Sequence, residues 1–133
     1  MTNKEIIKSW FSGIDAKNFD DVRSLMHADH RFTNPMTPEP VGAEQHLGMM
    51  QMMTGAFTGQ HHIHQMVQEG DMVAAYGEWK GTHTGEFNGV APTGRPVRFS
   101  WMDMFSLRDG KVAQEYFEMN PMSIMAQITD NNK

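Results

Sequence analysis

Hydrophobic residues in the first third of the chain recur at intervals of three and four. Ile6, Ile7, Trp10, Phe11 and Ile14 fall on one side of a helix over about residues 3–16, and Thr2 with Glu5 three positions on supplies its capping box. Phe19, Val22, Leu25 and Met26 predict a short second helix, opened by Asn18 or Asp21. His30 to Thr33 admits a brief strand. Pro35, Pro38 and Pro40 then forbid regular structure, leaving a connector or a rim loop that Gly42 ends. Leu47, Met50, Met53 and Phe57 mark a third helix from Ala43 to Phe57, with Met49 and Met52 broadening its apolar arc and Gly55 and Gly59 loosening its end.

Beyond the third helix the period changes to two. IHQMVQE, a tight turn at Gly70-Asp71, and MVAAYGEWKGTHT read as a hairpin. Gly85 to Pro96 forms a broad Gly- and Pro-rich connection into Val97 to Leu107, where the alternation is sharpest. Val97, Phe99, Trp101, Phe105 and Leu107 share one face of that strand, and Arg98, Ser100, Met102, Met104 and Ser106 the other. Arg108-Asp109-Gly110 turns the chain back into KVAQEYFEM, and Pro121 opens a terminal helix to about Ile128. Helices first and a four-stranded antiparallel meander afterwards predict an α+β fold, with the helices on one face of a curved sheet and an apolar hollow between the layers.

Polar residues on the apolar faces are the candidates for chemistry. Asp103 sits between Trp101 and Phe105 with no basic residue on its own face. A buried carboxylate is costly, so Asp103 lines a wet cavity or is satisfied by a neighbouring strand. His83 shares a face with Val73, Ala75 and Trp79; it is either a polar partner for Asp103 in the same hollow or an end-of-strand residue bonded to a backbone carbonyl. His61, His62 and His64 carry too few acidic or imidazole neighbours at a suitable offset to complete a metal shell, so no metal site is expected. No nucleophile elbow, phosphate loop or dinucleotide fingerprint is present, and no cofactor is expected.

Composition narrows the partners. The 133 residues suit a single domain over 1–133, and the formal charge of −5, from 16 acidic and 11 basic residues without a basic stripe, argues against nucleic acid. No apolar run reaches the roughly 20 residues of a membrane span. The chain has no Cys and opens without a signal-peptide pattern, which points to a cytoplasmic protein. Fourteen Met suit an adaptable apolar lining. Trp10, Met50, Met53, Trp79, Phe99, Trp101 and Tyr116 are the residues whose inward or outward aim would set the size of the hollow, and Arg98, Ser100, Met102 and Met104 outside it have the mixed character of a dimer surface.

The C-terminal half, with the Gly70-Asp71 turn, GTHTGEFNG, Pro92 to Gly94, Asp109 to Lys111 and Gln127 at their intervals, resembles the SnoaL-like polyketide cyclases of the nuclear transport factor two-like superfamily. The resemblance implies a cone-shaped α+β barrel-like domain, commonly a homodimer through the outer sheet face, with a pocket for a hydrophobic small molecule. For the cyclases proper it implies a cofactor-free aldol ring closure of a polyketide ester with an Asp as acid/base. Where that family has a Trp, and four residues later its catalytic Asp, this chain has Tyr116 and Asn120. An amide cannot take a proton from carbon. Two readings follow: an enzyme of cyclase or isomerase type, with Asp103 as acid/base, His83 as its partner, Tyr116 and Asn120 holding a carbonyl oxygen and Trp10, Trp79, Phe99 and Trp101 around an apolar substrate; or a non-catalytic binding protein for such a molecule.

Overall fold

The computed structural model describes residues 1–129; the last four residues of the expected domain lie outside them. The elements run α1 (Asn3–Asp15), α2 (Phe19–Ser24), β1 (Met26–Thr33), α3 (Ala43–Ala56), β2 (Phe57–Glu69), β3 (Met72–His83), β4 (Pro96–Arg108), β5 (Lys111–Glu118) and α4 (Pro121–Thr129). The strands form one curved, open sheet in the order β1-β5-β4-β3-β2, antiparallel throughout except for β1 beside β5, which is parallel. This is the α+β architecture that the periodicity predicts.

Local chemistry accounts for the frame. The Thr2 hydroxyl accepts the Glu5 N–H at 3.1 Å while Glu5 accepts the Thr2 N–H at 2.7 Å, so two of the donors orphaned at the start of α1 are satisfied. Ile6, Ile7, Trp10, Phe11 and Ile14 are all buried by α1 against the sheet. On β4 Val97, Trp101, Asp103, Phe105 and Leu107 are buried and Phe99 is half-buried, whereas Arg98, Ser100, Met102 and Met104 face outward. Asp109 and Gly110, with φ of 55° and 73°, make the β4–β5 turn in the left-handed geometry that matches strand twist.

Three features depart from the sequence expectation. β1 is eight residues long rather than four, and its register slips between Met26 and Arg31, which masks its alternation. β2 begins at Phe57, directly after α3, so Gly59 belongs to a strand: a Cβ there would lie 2.2 Å from the Lys80 carbonyl oxygen and 2.7 Å from the Trp79 ring. On β5, Leu107 pairs with Val112 and Ser106 with Gln114, leaving Ala113 as an extra residue that reverses the in-out phase of everything after it.

Pairing between β4 and β5 starts only at Met102, so the stretch of β4 before it lacks a strand on that side. Gln127 of α4 fills the place. Its Oε1 accepts the Arg98 N–H and its Nε2 donates to the Arg98 carbonyl, both at 2.8 Å, as a neighbouring strand would.

Gly77 gives the most direct test of the packing. A Cβ there would lie 2.0 Å from the His62 carbonyl oxygen and 2.7 Å from the Trp101 ring. Gly77→Ala is expected to lower stability by about 1–3 kcal/mol, read as a fall in the urea midpoint with an unchanged slope.

Candidate functional site

Between the concave face of the sheet, α1, α3 and the loop after β1 lies a cavity of about 370 Å³, within the range that holds small organic molecules. Its wall is mainly apolar. Met36, Met49, Met50, Met52, Met53 and Met119 contribute to it, as do Trp10, Phe11, Trp79, Phe99 and Phe117. Met36 and Thr37 come from the proline-rich loop, which is shaped by Asn34: its Oδ1 accepts the Met36 N–H at 2.8 Å and its Nδ2 donates to the Thr37 hydroxyl at 3.0 Å.

Two carboxyl groups deep in this wall are almost wholly buried. Asp103 is 4 % and Glu115 3 % exposed. Phe117 stands opposite Asp103 on β5 and Phe105 opposite Glu115 on β4, so the two acids are diagonal neighbours on the concave face. Burial pushes the Asp103 carboxyl well above the ordinary carboxylate range, and the adjacent Glu115 adds to the rise; burial also pushes Glu115 up to about 7. No Arg or Lys pairs with either carboxyl among the described residues, and no hydrogen bond of ordinary geometry reaches either Asp103 oxygen or Glu115 Oε1. With both groups raised, the pair favours holding a proton over carrying two charges.

Behind Glu115 runs a chain of two histidines whose polarity is set from its far end. The Val112 carbonyl can only accept, so His30 Nδ1, 2.9 Å away, donates to it. Burial lowers the basicity of His30 and holds His46 down to about 2, so both rings are neutral. His30 Nε2 then accepts from His46 Nδ1 at 2.9 Å, and His46 Nε2 is left with a lone pair 3.7 Å from Glu115 Oε1. The His46 ring stacks on Phe32 with centroids 3.6 Å apart, and Trp10 packs against both histidines.

The structure distributes the sequence-predicted residues unevenly. Asp103, Trp10, Trp79 and Phe99 line the cavity. His83 does not join Asp103: the β3–β4 register pairs Ala75 with Asp103, and His83 lies eight residues further along β3. There it is fully buried beside Phe57, with Nδ1 accepting the Thr93 N–H at 3.2 Å and pairing with the Thr93 hydroxyl at 3.0 Å, and it anchors the 84–95 connection. Trp101 packs behind the wall against Phe11 and His61. Tyr116 projects from the opposite face, where its hydroxyl donates to Gln114, because the extra residue at Ala113 turns it outward. Asn120 is exposed and caps α4, its Oδ1 accepting the Met122 N–H at 3.1 Å. Neither Tyr116 nor Asn120 is placed to hold a ligand carbonyl in this cavity.

Sequence reasoning missed Glu115 and His46, which line the cavity, and His30, which stands behind them. His46 falls on the buried stripe of α3, one turn before Met50, and that spacing was the available signal. Of the other histidines, His62 is exposed and His64 pairs with Glu78 at 3.3 Å. Among the described residues no group of three or more His, Asp or Glu side chains is arranged to hold a metal ion, and no helix is long and apolar enough to cross a membrane.

Several comparisons bear on this geometry. The chain shares 26 % identity with IdmH, a candidate polyketide cyclase from Streptomyces antibioticus, over 96 % of this chain and 98 % of that one, with a TM-score of 0.85. A candidate SnoaL-like polyketide cyclase from Jannaschia sp. CCS1 superimposes at 0.86 with 24 % identity, covering 96 % of this chain and 92 % of its own. AclR, a candidate hydroxylase from Streptomyces galilaeus, superimposes at 0.87 with 20 % identity over 98 % and 83 % of the two chains. No curated protein sequence matches. The family model for SnoaL-like polyketide cyclases matches residues 4–128, and the chain belongs to that family.

Proposed function

We propose that this protein is a cofactor-independent enzyme that moves protons on an apolar, carbonyl-bearing small molecule, in the manner of a cyclase or isomerase, with Asp103 and Glu115 as its acid–base pair. The observation that carries this reading is the presence of two carboxyl groups, both nearly inaccessible and without an Arg or Lys partner, at the wall of a largely apolar cavity. A sequestering protein gains nothing from such a pair, since unsatisfied buried polar groups cost stability. An enzyme gains an acid beside a base. The ionised member takes a proton from the carbon next to the substrate carbonyl while the neutral member gives one to the carbonyl oxygen. The enol that forms can collapse to an isomer or close a ring on a second carbonyl, and the pair ends with the proton count it began with. A Glu115 carboxyl near 7 is matched to proton transfer at neutral pH.

The same reading includes a homodimer built through the outer sheet face. Val67, Met72, Tyr76, Met102, Met104 and Tyr116 are all exposed there. Met104 lies in register between Ala74 and Tyr116, and Met102 between Tyr76 and Glu118, so the apolar side chains are contiguous across three strands. A patch of this kind suits a self-complementary contact between two copies.

Three outcomes are expected. Asp103→Asn should lower turnover of a polyketide-like ester or an enolisable cyclic ketone by about 100-fold or more while ligand binding persists; a variant that turns over normally removes the proposal. Stability should peak at weakly acid pH. The lowered His30 and His46 contribute stability that is present above their unfolded value and lost as pH falls; the raised Asp103 and Glu115 contribute stability that is present below their unfolded values and lost as pH rises, for Glu115 through about 7. Thermal melts should therefore decline on both sides of roughly pH 4.5–6.5, the alkaline loss amounting to about 1 kcal/mol or more by pH 8, and the Asp103→Asn/Glu115→Gln double variant should flatten only the alkaline side. Met102→Glu with Met104→Lys should convert a dimer to a monomer in sedimentation velocity, and a monomeric wild type would refute the dimer.

A further inference from the structure

The cavity has a second polar station, built independently of the carboxyl pair. Asp15, the last residue of α1, grips His61 of β2 twice: its Oδ1 accepts from His61 Nδ1 at 2.7 Å and its Oδ2 accepts the His61 backbone N–H at 2.8 Å. Both side chains are largely shielded, at 15 % and 13 % exposure, and both line the cavity. The grip fixes the ring. Nδ1 must carry hydrogen, because a carboxylate oxygen only accepts, and Nε2 becomes the free polar edge of the imidazole. Among the described residues Nε2 forms no hydrogen bond, Nδ1 being the ring nitrogen that Asp15 engages.

What surrounds the imidazole defines what it can meet. Phe11 lies with its centroid 4.8 Å from the His61 ring and Trp101 5.8 Å away, so the ring cannot swing out of place. His61 stands opposite Trp79 on β3, and Trp79 stands opposite Phe99 on β4; the latter two rings are stacked at 5.6 Å. Asp103 lies on the same strand as Phe99, four residues further on, which at about 3.3 Å per residue sets the two polar stations more than roughly 10 Å apart along the sheet. The wall between them is aromatic and methionine-lined.

We infer that the Asp15–His61 pair is a second ligand-binding station, which hydrogen-bonds through Nε2 to a hydroxyl group on the end of the ligand remote from Asp103. The ligand class is then a flat, apolar, ring-bearing molecule with a hydroxyl at one end, its ring lying along Phe99 and Trp79. His61 is a positioning residue for that molecule and Asp15 holds its tautomer. The inference rests on the reading of the cavity as a small-molecule site, but not on the chemistry assigned to Asp103 and Glu115.

The test uses 2-naphthol and naphthalene as matched probes on the full chain, with the methionine methyl groups and the imidazole nitrogens followed by NMR. Both probes should move the methyl signals of cavity methionines such as Met50 and Met53, and only 2-naphthol should move His61 Nε2. His61→Phe keeps an aromatic ring between Phe11 and Trp101; it and Asp15→Asn should each weaken 2-naphthol by roughly 3- to 10-fold and leave naphthalene unchanged, the loss expected for one hydrogen bond. If 2-naphthol shifts the methionine methyls without touching His61 Nε2, or if both variants keep the preference for the phenol, the second station is overturned while the cavity reading stands. If neither probe reaches the methionine methyls, the cavity reading fails and the station fails with it. Loss of fold in Asp15→Asn leaves His61→Phe to decide.

Discussion

The inner face of β4 must be apolar to hold α1 against the sheet, and it nevertheless carries a carboxyl group. A charge is costly there, and beside this carboxyl stand a second one, a neutral imidazole, another imidazole behind it, and finally a backbone carbonyl. Each group restricts the next. Trp10 and Phe32 enclose the histidines, and the same Trp10 belongs to the helix stripe that seals the core. Core packing and site electrostatics are thus one arrangement, because α1 both seals the core and forms part of the cavity wall.

Much of the frame was readable because local patterns there are unambiguous. The Thr2–Glu5 box, the α1 stripe, the strict alternation from Val97 to Leu107 and the turns at Gly70-Asp71 and Asp109-Gly110 each depend on residues close in sequence. β1 was less legible, because its register slip and charged residues break the period, and its parallel partner β5 is some eighty residues away. The site was legible only in part. Asp103 stood out because it interrupts an apolar face. Glu115 did not, because the extra residue at Ala113 inverts the phase of β5, hiding Glu115 and presenting Tyr116 in its stead. His83 shares a sheet face with Asp103, but strand register, which no local pattern reports, sets them far apart.

Family membership and site chemistry answer different questions. A candidate cyclase and a candidate hydroxylase share this backbone closely. Asn120, which the sequence resemblance sets at the family's catalytic Asp position, does the work of a helix cap. The two buried carboxyl groups stand instead on the concave side of β4 and β5. A fold of this kind keeps its hollow while the side chains facing it change, so the reaction has to be argued from those side chains.

Gln127 illustrates how a single side chain can complete a sheet. Its amide occupies the hydrogen-bonding positions of Arg98 that β5 leaves open. An open strand edge is a template on which another chain can be added, and such addition is a common route into aggregates. The terminal helix, by carrying this amide to the edge, acts as a guard for solubility as well as a lid on the core. Shortening the chain before Gln127 would therefore expose a stretch of β4 backbone to intermolecular pairing, even if every strand kept its place.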